Sequence, residues 1–324
     1  MKNNHYRRNL FLITIAVLLA VATAGYFLFS YLSTQNIPIL HPKGSVGESE
    51  LNLLIFTGIL SLVVIIPVFS IATFIAFKYN ANNKKAEYTP DWDNNHTIEF
   101  IWWGIPVLLI AIVAVVTWIS THKLNPYKAL DENRPSMVIE VVSLDWKWLF
   151  IYPEQNIATV NYVKFPTNTQ IDFTITADGP MNSFWIPQLG GQMYSMQGMV
   201  THQHLDAYEV GDFAGSSANI SGEGFASMKF TASSMTKDDF ADWVNSIKSA
   251  NHPRLTSESY DKLARPSKNH ARVSYSSVDS GLFNEIVHKY MGKVESQHEK
   301  IMRQQQQSKT DQSTKLDHSN MEKK

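Results

Sequence analysis

The sequence predicts a membrane α plus β protein: an N-terminal span, a two-helix transmembrane hairpin, then an extracytoplasmic antiparallel β-sandwich with a small C-terminal helical segment. Two observations carry that class. Long uncharged apolar runs crowd into the N-terminal third. From Ser136 they give way to short runs rich in β-branched and aromatic residues, separated by turn residues.

Leu10–Leu32, Leu51–Phe77 and Phe100–Ile119 are free of charged residues. About 20 apolar residues suffice to cross a bilayer. Runs apolar on all sides suit lipid better than a soluble core. Pro67 and Pro106 fall inside the second and third runs, where neighbouring helices can cover a freed carbonyl. Lys2, Arg7 and Arg8 precede the first run, and Lys78, Lys84 and Lys85 separate the second from the third. The segment between the first two holds Lys43 against Glu48 and Glu50. Positive charge stays inside, so the N-terminus and the 78–97 loop are placed in the cytoplasm and everything after Lys123 outside. Trp102, Trp103 and Trp118 suit an interfacial aromatic belt. Ala22-Thr23-Ala24 has the small residues of a signal cleavage site, yet the apolar run continues to Leu32. The first run is thus either an uncleaved anchor or a cleaved signal.

In the outer region, Ile171, Phe173 and Ile175 alternate with Asp172, Thr174 and Thr176, the pattern of a half-buried strand. MVIEVV, WKWLFIY, ATVNYVKF, NSFWIP and QHLDAYEV read as further strands. Such spacing fits a sandwich or barrel of about 100 residues. Thr236 with Asp239 opens a helix carrying Phe240, Trp243, Val244 and Ile247, and a second helix is expected from Leu282 to Met291 with Gly292 as its stop. The remainder is polar, with a run of four glutamines, and is expected to be a disordered tail. The predicted divisions are 1–35 (anchor or signal), 36–124 (hairpin), 125–235 (outer domain), 236–292 (helical segment packing on a complex) and 293–324 (tail).

The chain has no cysteine. Disulfides, thiolate metal sites, iron–sulfur clusters and lipid on an N-terminal cysteine are thereby excluded. A net charge of −1 gives no whole-chain argument for nucleic acid.

The stretch GSSANISGEGFASM, Gly215 to Met228, has small residues at the spacing of a copper loop and lacks its chemistry. Two membrane helices followed by an outer sandwich resemble subunit II of the haem–copper terminal oxidases, which implies a cupredoxin-like domain. In the copper-bearing branch the loop reads C-x-E-x-C-x3-H-x2-M, with a histidine upstream. Laid on this chain, the cysteine positions are Ser217 and Ser221, the glutamate Asn219, the histidine Phe225 and the upstream histidine Asn182, while Met228 is retained. Bridging copper requires soft thiolate sulfur, and serine, asparagine and phenylalanine cannot replace thiolate or imidazole.

The pattern, together with VVSLDWKWLFIYPEQNIATVN, MNSFWIPQLGGQMYSMQGM and GFASMKF, is similar to subunit II of the bo-type ubiquinol oxidases. The resemblance covers about Pro42 to Met291. It implies a proton-pumping complex that oxidises ubiquinol and reduces oxygen to water in subunit I. This chain would bind no cofactor; haems and a copper are expected in subunit I. The implied partners are subunit I, smaller membrane subunits and the lipid bilayer, without nucleic acid or cytochrome c. The implied location is the bacterial inner (cell) membrane, multi-pass, with the large domain periplasmic. The resemblance also makes Glu99 a proton-uptake candidate, against the plain reading of a carboxylate near a helix N-terminus. Trp146 and Trp148 are expected to pack against subunit I.

His202 and His204 share a strand face as a metal pair would, but lack a third ligand at suitable spacing, so a surface or interface role is expected. Met193, Met196 and Met199 read as packing, and Asp145 and Glu154 as solvated loop charges. Two other readings compete. A copper electron carrier would need the missing cysteines. A free-standing membrane-tethered binding module would be stable without partners.

Overall fold

The computed structural model describes residues 37–79 and 94–291, with scattered residues among 23–35 and residue 83. Most of the first predicted span, Ala22 and Ala24 of its cleavage motif, the flanking basic residues Lys2, Arg7, Arg8, Lys84 and Lys85, the helix stop Gly292 and the predicted tail lie outside the described residues. The chain divides into two compact units, Met1–Pro42 with Gly47–Asn125, and Lys43–Val46 with Pro126–Lys324.

The first unit contains two long helices, α1 (Ser45–Lys78) and α2 (His96–Lys123). Their 34 and 28 residues extend to about 50 and 40 Å at about 1.5 Å per residue, enough for a hydrocarbon layer of about 30 Å. Both are long and apolar enough to cross a membrane. Large side chains such as Phe69, Trp102 and Trp118 are about 70% exposed (68%, 71% and 70%) in the isolated chain, as a surface meant for lipid or neighbouring helices requires. The Asn95 side chain caps α2, accepting from the backbone N–H groups of Thr97 and Ile98 at 3.1 Å each.

The second unit is a two-sheet sandwich. Its strands are β1 (Met137–Leu144), β2 (Lys147–Tyr152), β3 (Ile157–Val160), β4 (Tyr162–Pro166), β5 (Ile171–Ala177), β6 (Asn182–Trp185), β7 (Gln192–Ser195), β8 (Thr201–Leu205), β9 (Gly211–Ser217) and β10 (Lys229–Met235). Helix α3 (Lys237–Ser249), β11 (Arg254–Leu255), helix α4 (Ser257–Leu263), β12 (Val273–Tyr275), β13 (Ser277–Val278) and helical residues 282–291, here α5, complete it. One sheet has the order β12-β3-β2-β1-β5-β8 and the other β4-β10-β9-β6-β7. The sandwich agrees with expectation, but its sheets are mixed: β1 runs parallel to β5 and β4 parallel to β10. Alternation in a sequence fixes which face a residue takes, not the direction of the neighbouring strand.

Alternation sorts the side chains into two cores. Ile139, Val141, Trp148, Phe150, Ile171, Phe173 and Ile175 point between the sheets and meet Phe165, Phe184, Phe213 and Phe230, with Phe240, Val244 and Ile247 of α3 closing one end. Phe184 and Phe230 stack with centroids 5.1 Å apart. Each such side chain contributes about 1.5–3 kcal/mol through burial. On the outer face of the six-stranded sheet, Val142, Leu144, Leu149, Ile151 and Val160 pack beneath Leu255, Tyr260, Leu263, Leu282, Phe283 and Ile286. The C-terminal segment therefore packs on this chain's own sheet.

The predicted run ATVNYVKF is split between the two sheets at Asn161, which has φ 60°. Asparagine tolerates this left-handed backbone. Its Oδ1 accepts from the Trp148 backbone N–H at 3.0 Å, and its amide donates to the His270 carbonyl at 2.8 Å. The run QHLDAYEV is strand only up to Leu205. Asp206 leaves the sheet to accept from the backbone and hydroxyl of Ser45, at 2.7 and 2.8 Å.

Candidate functional site

The six positions that the resemblance aligns with copper ligands are brought to one end of the sandwich by β6, the β9–β10 hairpin and its loop. Asn182 opens β6, Ser217 ends β9, and Met228 precedes β10. Phe225 begins a single 3-10 turn. Asn182, Ser217 and Met228 are buried, at 1%, 7% and 1% exposure.

Four of the six side chains make one hydrogen-bonded cluster with Asn182 at its centre. The Ser183 backbone N–H donates to Asn182 Oδ1 at 2.8 Å. That donor requires an oxygen, so the amide orientation is fixed. Ser217 Oγ donates to the same oxygen. Asn182 Nδ2 then faces the other way, donating to Ser221 Oγ at 3.1 Å and to Met228 Sδ at 3.1 Å. Asn219 takes part through its backbone carbonyl, 3.4 Å from Ser217 Oγ, and no described hydrogen bond ties in the phenyl ring of Phe225. The backbone closes the same loop: Ser217 N–H donates to the Met228 carbonyl and Ala218 N–H to the Ser183 carbonyl, both at 3.1 Å.

These side chains do not fit a two-copper centre. The donors are two hydroxyls, an amide and one thioether, and the thioether already accepts the amide proton. Hard neutral oxygens hold soft copper poorly. Where a metal would cross-link the strands, hydrogen bonds do so, each contributing about 0.5–1.5 kcal/mol net.

Trp146 lies over this cluster. It sits in the two-residue β1–β2 turn with φ 65°, a conformation that costs a bulky residue about 1–2 kcal/mol. Its indole N–H donates to the Ser221 carbonyl at 3.3 Å. A Cβ on Gly224 would fall 2.2 Å from the indole ring, so only glycine permits this approach. Lys268 Nζ stands 6.0 Å from the Trp146 ring centroid and 2.5 Å from Glu223 Oε2. Trp148 corrects the interface expectation. It is 0% exposed, with its ring edge-on to Phe184 and Phe230 at 5.5 and 5.8 Å. Strand alternation turns Trp148 into the core, and the left-handed turn swings Trp146 over the loop.

Glu99 occupies the first turn of α2 with a 59% exposed side chain, its Oε2 3.6 Å from His96 Nδ1. His202 and His204 do share one face of β8, bridged by Asp172: His202 Nδ1 is 3.1 Å from the carboxylate and His204 Nε2 4.0 Å. His204 Nδ1 donates to the Pro126 carbonyl at 3.0 Å. Among the described residues, no group of three or more His, Cys, Asp or Glu is arranged to hold a metal. Met193 is buried in the core and Met199 is 48% exposed, so the methionines do not share one environment. Glu154 is exposed and Asp145 partly buried.

Two buried polar anchors escaped the sequence reading. Asp178 accepts from Tyr260 at 2.6 Å, from Lys289 at 2.9 and 3.0 Å, and from the Tyr290 hydroxyl. Desolvation pushes this carboxyl up, but those donors outweigh it and hold it below the usual carboxylate range. Lys147, 0% exposed, donates to the Arg265 carbonyl and Ser267 Oγ, both at 2.7 Å. Desolvation lowers its pKa, while Asp145 opposes the shift. A lone Asp before Gly-Pro, or a Lys between tryptophans, carries no signal of partners more than 80 residues away.

The family model described as the COX aromatic-rich motif matches residues 250–293, the segment that supplies Tyr260, Lys289 and Tyr290. The cytochrome bo(3) ubiquinol oxidase subunit 2 of Pseudomonas putida is 48% identical over 261 residues, 81% of this chain and 83% of that one. The ubiquinol oxidase subunit 2 of Acetobacter aceti is 46% identical over 261 residues, 80% and 84% of the two chains. The quinol oxidase subunit 2 of Bacillus cereus is 34% identical over 233 residues, 72% and 80%.

Proposed function

The chain belongs to the ubiquinol oxidase subunit 2 family, and we propose that within the oxidase it is a structural subunit without a redox centre of its own. The observation that supports this reading is the Asn182–Ser217–Ser221–Met228 cluster, where hydrogen bonds occupy the copper positions. Electrons would bypass this loop. Ubiquinol would be oxidised and oxygen reduced at haems and a copper held by subunit I, with protons moved outward and no role for cytochrome c.

The protein is membrane-associated through its apolar helices. In our reading, residues 36–124 form the anchoring hairpin, 1–35 an anchor or signal, 125–235 the cupredoxin-like domain on the periplasmic side of the cell membrane, and 236–292 a segment that braces it; 293–324 are a tail. Trp146 is retained as an interface candidate with subunit I and Glu99 as a proton-uptake candidate. The exposed carboxylate on the first turn of α2 is compatible with either the proton role or simple dipole compensation.

The reading is tested on the oxidase purified from membranes through this chain. It should carry haem and consume oxygen with ubiquinol but not with reduced cytochrome c. Oxygen uptake driven by cytochrome c, or a chain that purifies alone and stable without haem, would favour the electron carrier or the binding module instead.

A further inference from the structure

We propose that the cleft between the outer face of the six-stranded sheet and the C-terminal segment receives a lysine or arginine side chain from a neighbouring oxidase polypeptide, with Glu140 as its counter-ion. The inference rests on the oxidase reading, since it requires a neighbouring subunit.

The cleft holds about 350 Å³, room for a whole basic side chain. Glu140 projects from β1 on the outer face, between Ile151 of β2 and Thr174 of β5 in the strand register. Neither neighbour can neutralise it. Across the cleft the charged group is Asp279, of like sign. Asp279 is already engaged by Arg254 at 2.7 Å and by the Ser257 backbone N–H at 3.2 Å. The Asn156 side-chain oxygen is taken by the Val278 N–H at 3.1 Å. The Tyr152 hydroxyl points into the other layer, where it donates to the Lys164 carbonyl at 3.0 Å. Glu140 thus has no hydrogen-bond or ion-pair partner among the described residues, although it is partly buried. Desolvation accordingly pushes its carboxyl up to about 7.

A desolvated carboxylate without a partner is unfavourable, and a cation brought to it restores the charged form. The walls select the class of cation. Pro153 and the edges of the buried Ile151, Leu282 and Phe283 line the cleft together with the polar Asn156, Ser280 and Asn284, a mixed wall that a methylene stem with a charged head can satisfy while the head reaches Glu140. A divalent ion takes about six oxygen ligands; with Asp279 and Asn156 engaged, the cleft lining leaves it Glu140, Ser280 and Asn284.

The test compares the oxidases carrying Glu140→Gln, Glu140→Arg and, as a control, Glu258→Gln on the exposed Lys262 pair. Salt-induced release of this chain from the detergent-solubilised complex is followed, alongside thermal unfolding of the isolated full-length chain. Removing one member of a desolvated pair should speed release about tenfold or more, with the Glu258 variant unchanged. The isolated Glu140→Gln chain should unfold at the wild-type temperature or above, which separates lost docking from lost folding. Glu140 should also react with a water-soluble carbodiimide in the isolated chain and be protected in the complex. Wild-type release rates for both Glu140 variants overturn the proposal. Protection of Glu140 in the isolated chain by magnesium or spermidine also overturns it, because the occupant would then be a free cation. A wild-type chain that never co-purifies with a haem protein overturns the oxidase reading itself, an outcome distinct from these.

Discussion

Asn182 holds the loop closed because one amide satisfies two hydroxyls, a backbone N–H and a thioether. Asn182→Ala should leave Ser217 Oγ and the Ser183 N–H without their buried acceptor. We expect a loss of about 1–3 kcal/mol in the thermal or denaturant unfolding of the full-length chain; an unchanged midpoint would show that the cluster contributes nothing. Gly224→Ala tests the approach of Trp146. A new Cβ 2.2 Å from the indole must displace the ring or the loop, with a cost of about 1–3 kcal/mol and a shift in tryptophan emission. Unaltered emission and stability would contradict the packing. Glu140 makes a third prediction. Its folded carboxyl titrates at about 7 rather than the ordinary 4.5, so between those values the folded chain binds the extra proton. Stability from this group is therefore lost as pH rises from about 4.5 through about 7. Glu140→Gln should remove that slope in the isolated chain, by at most about 2 kcal/mol after solvent screening, as read from unfolding midpoints across that range.

Among the elements, the C-terminal aromatic segment is fastened at two kinds of contact, the apolar layer under α4 and α5 and the buried carboxylate of Asp178. Asp178→Asn removes the charge that Lys289 faces and should loosen α5 by about 2–4 kcal/mol, seen as faster proteolysis after residue 250 while the sandwich stays folded. Because its donors hold the Asp178 carboxyl below its ordinary 3.8, its contribution is present above that pH and is lost as pH falls further. Equal protease resistance in the variant would contradict the fastening. At this scale the sequence was a partial guide. The alternation of Ile171, Phe173 and Ile175 revealed a strand with one face inward, and the cap at Thr236 marked α3; both rest on local periodicity or spacing. The split at Asn161, the parallel pairs and the roles of Lys147 and Asp178 depend on residues far away in the chain. Trp148 was misplaced for a local reason: strand alternation turns it into the core, while the left-handed turn at Trp146 swings that indole over the loop. The resemblance of Ser217 to Met228 to a copper loop could be stated because its spacing is local; that Asn182, Ser217, Ser221 and Met228 form one hydrogen-bonded cluster needed the fold.

As a whole molecule, the chain joins two apolar helices to a sandwich whose 215–228 loop is closed by neutral side chains. The apolar helices supply membrane attachment, and the sandwich is a folded domain with its own core. On our reading this closure replaces the metal instead of awaiting it. The most direct test of that reading is the copper bound by the full-length chain after exposure to excess copper and removal of loosely held ion. A value near zero, with the β-sheet spectrum intact, is predicted. Two coppers per chain with strong visible absorption would contradict the account and return the loop to electron transfer.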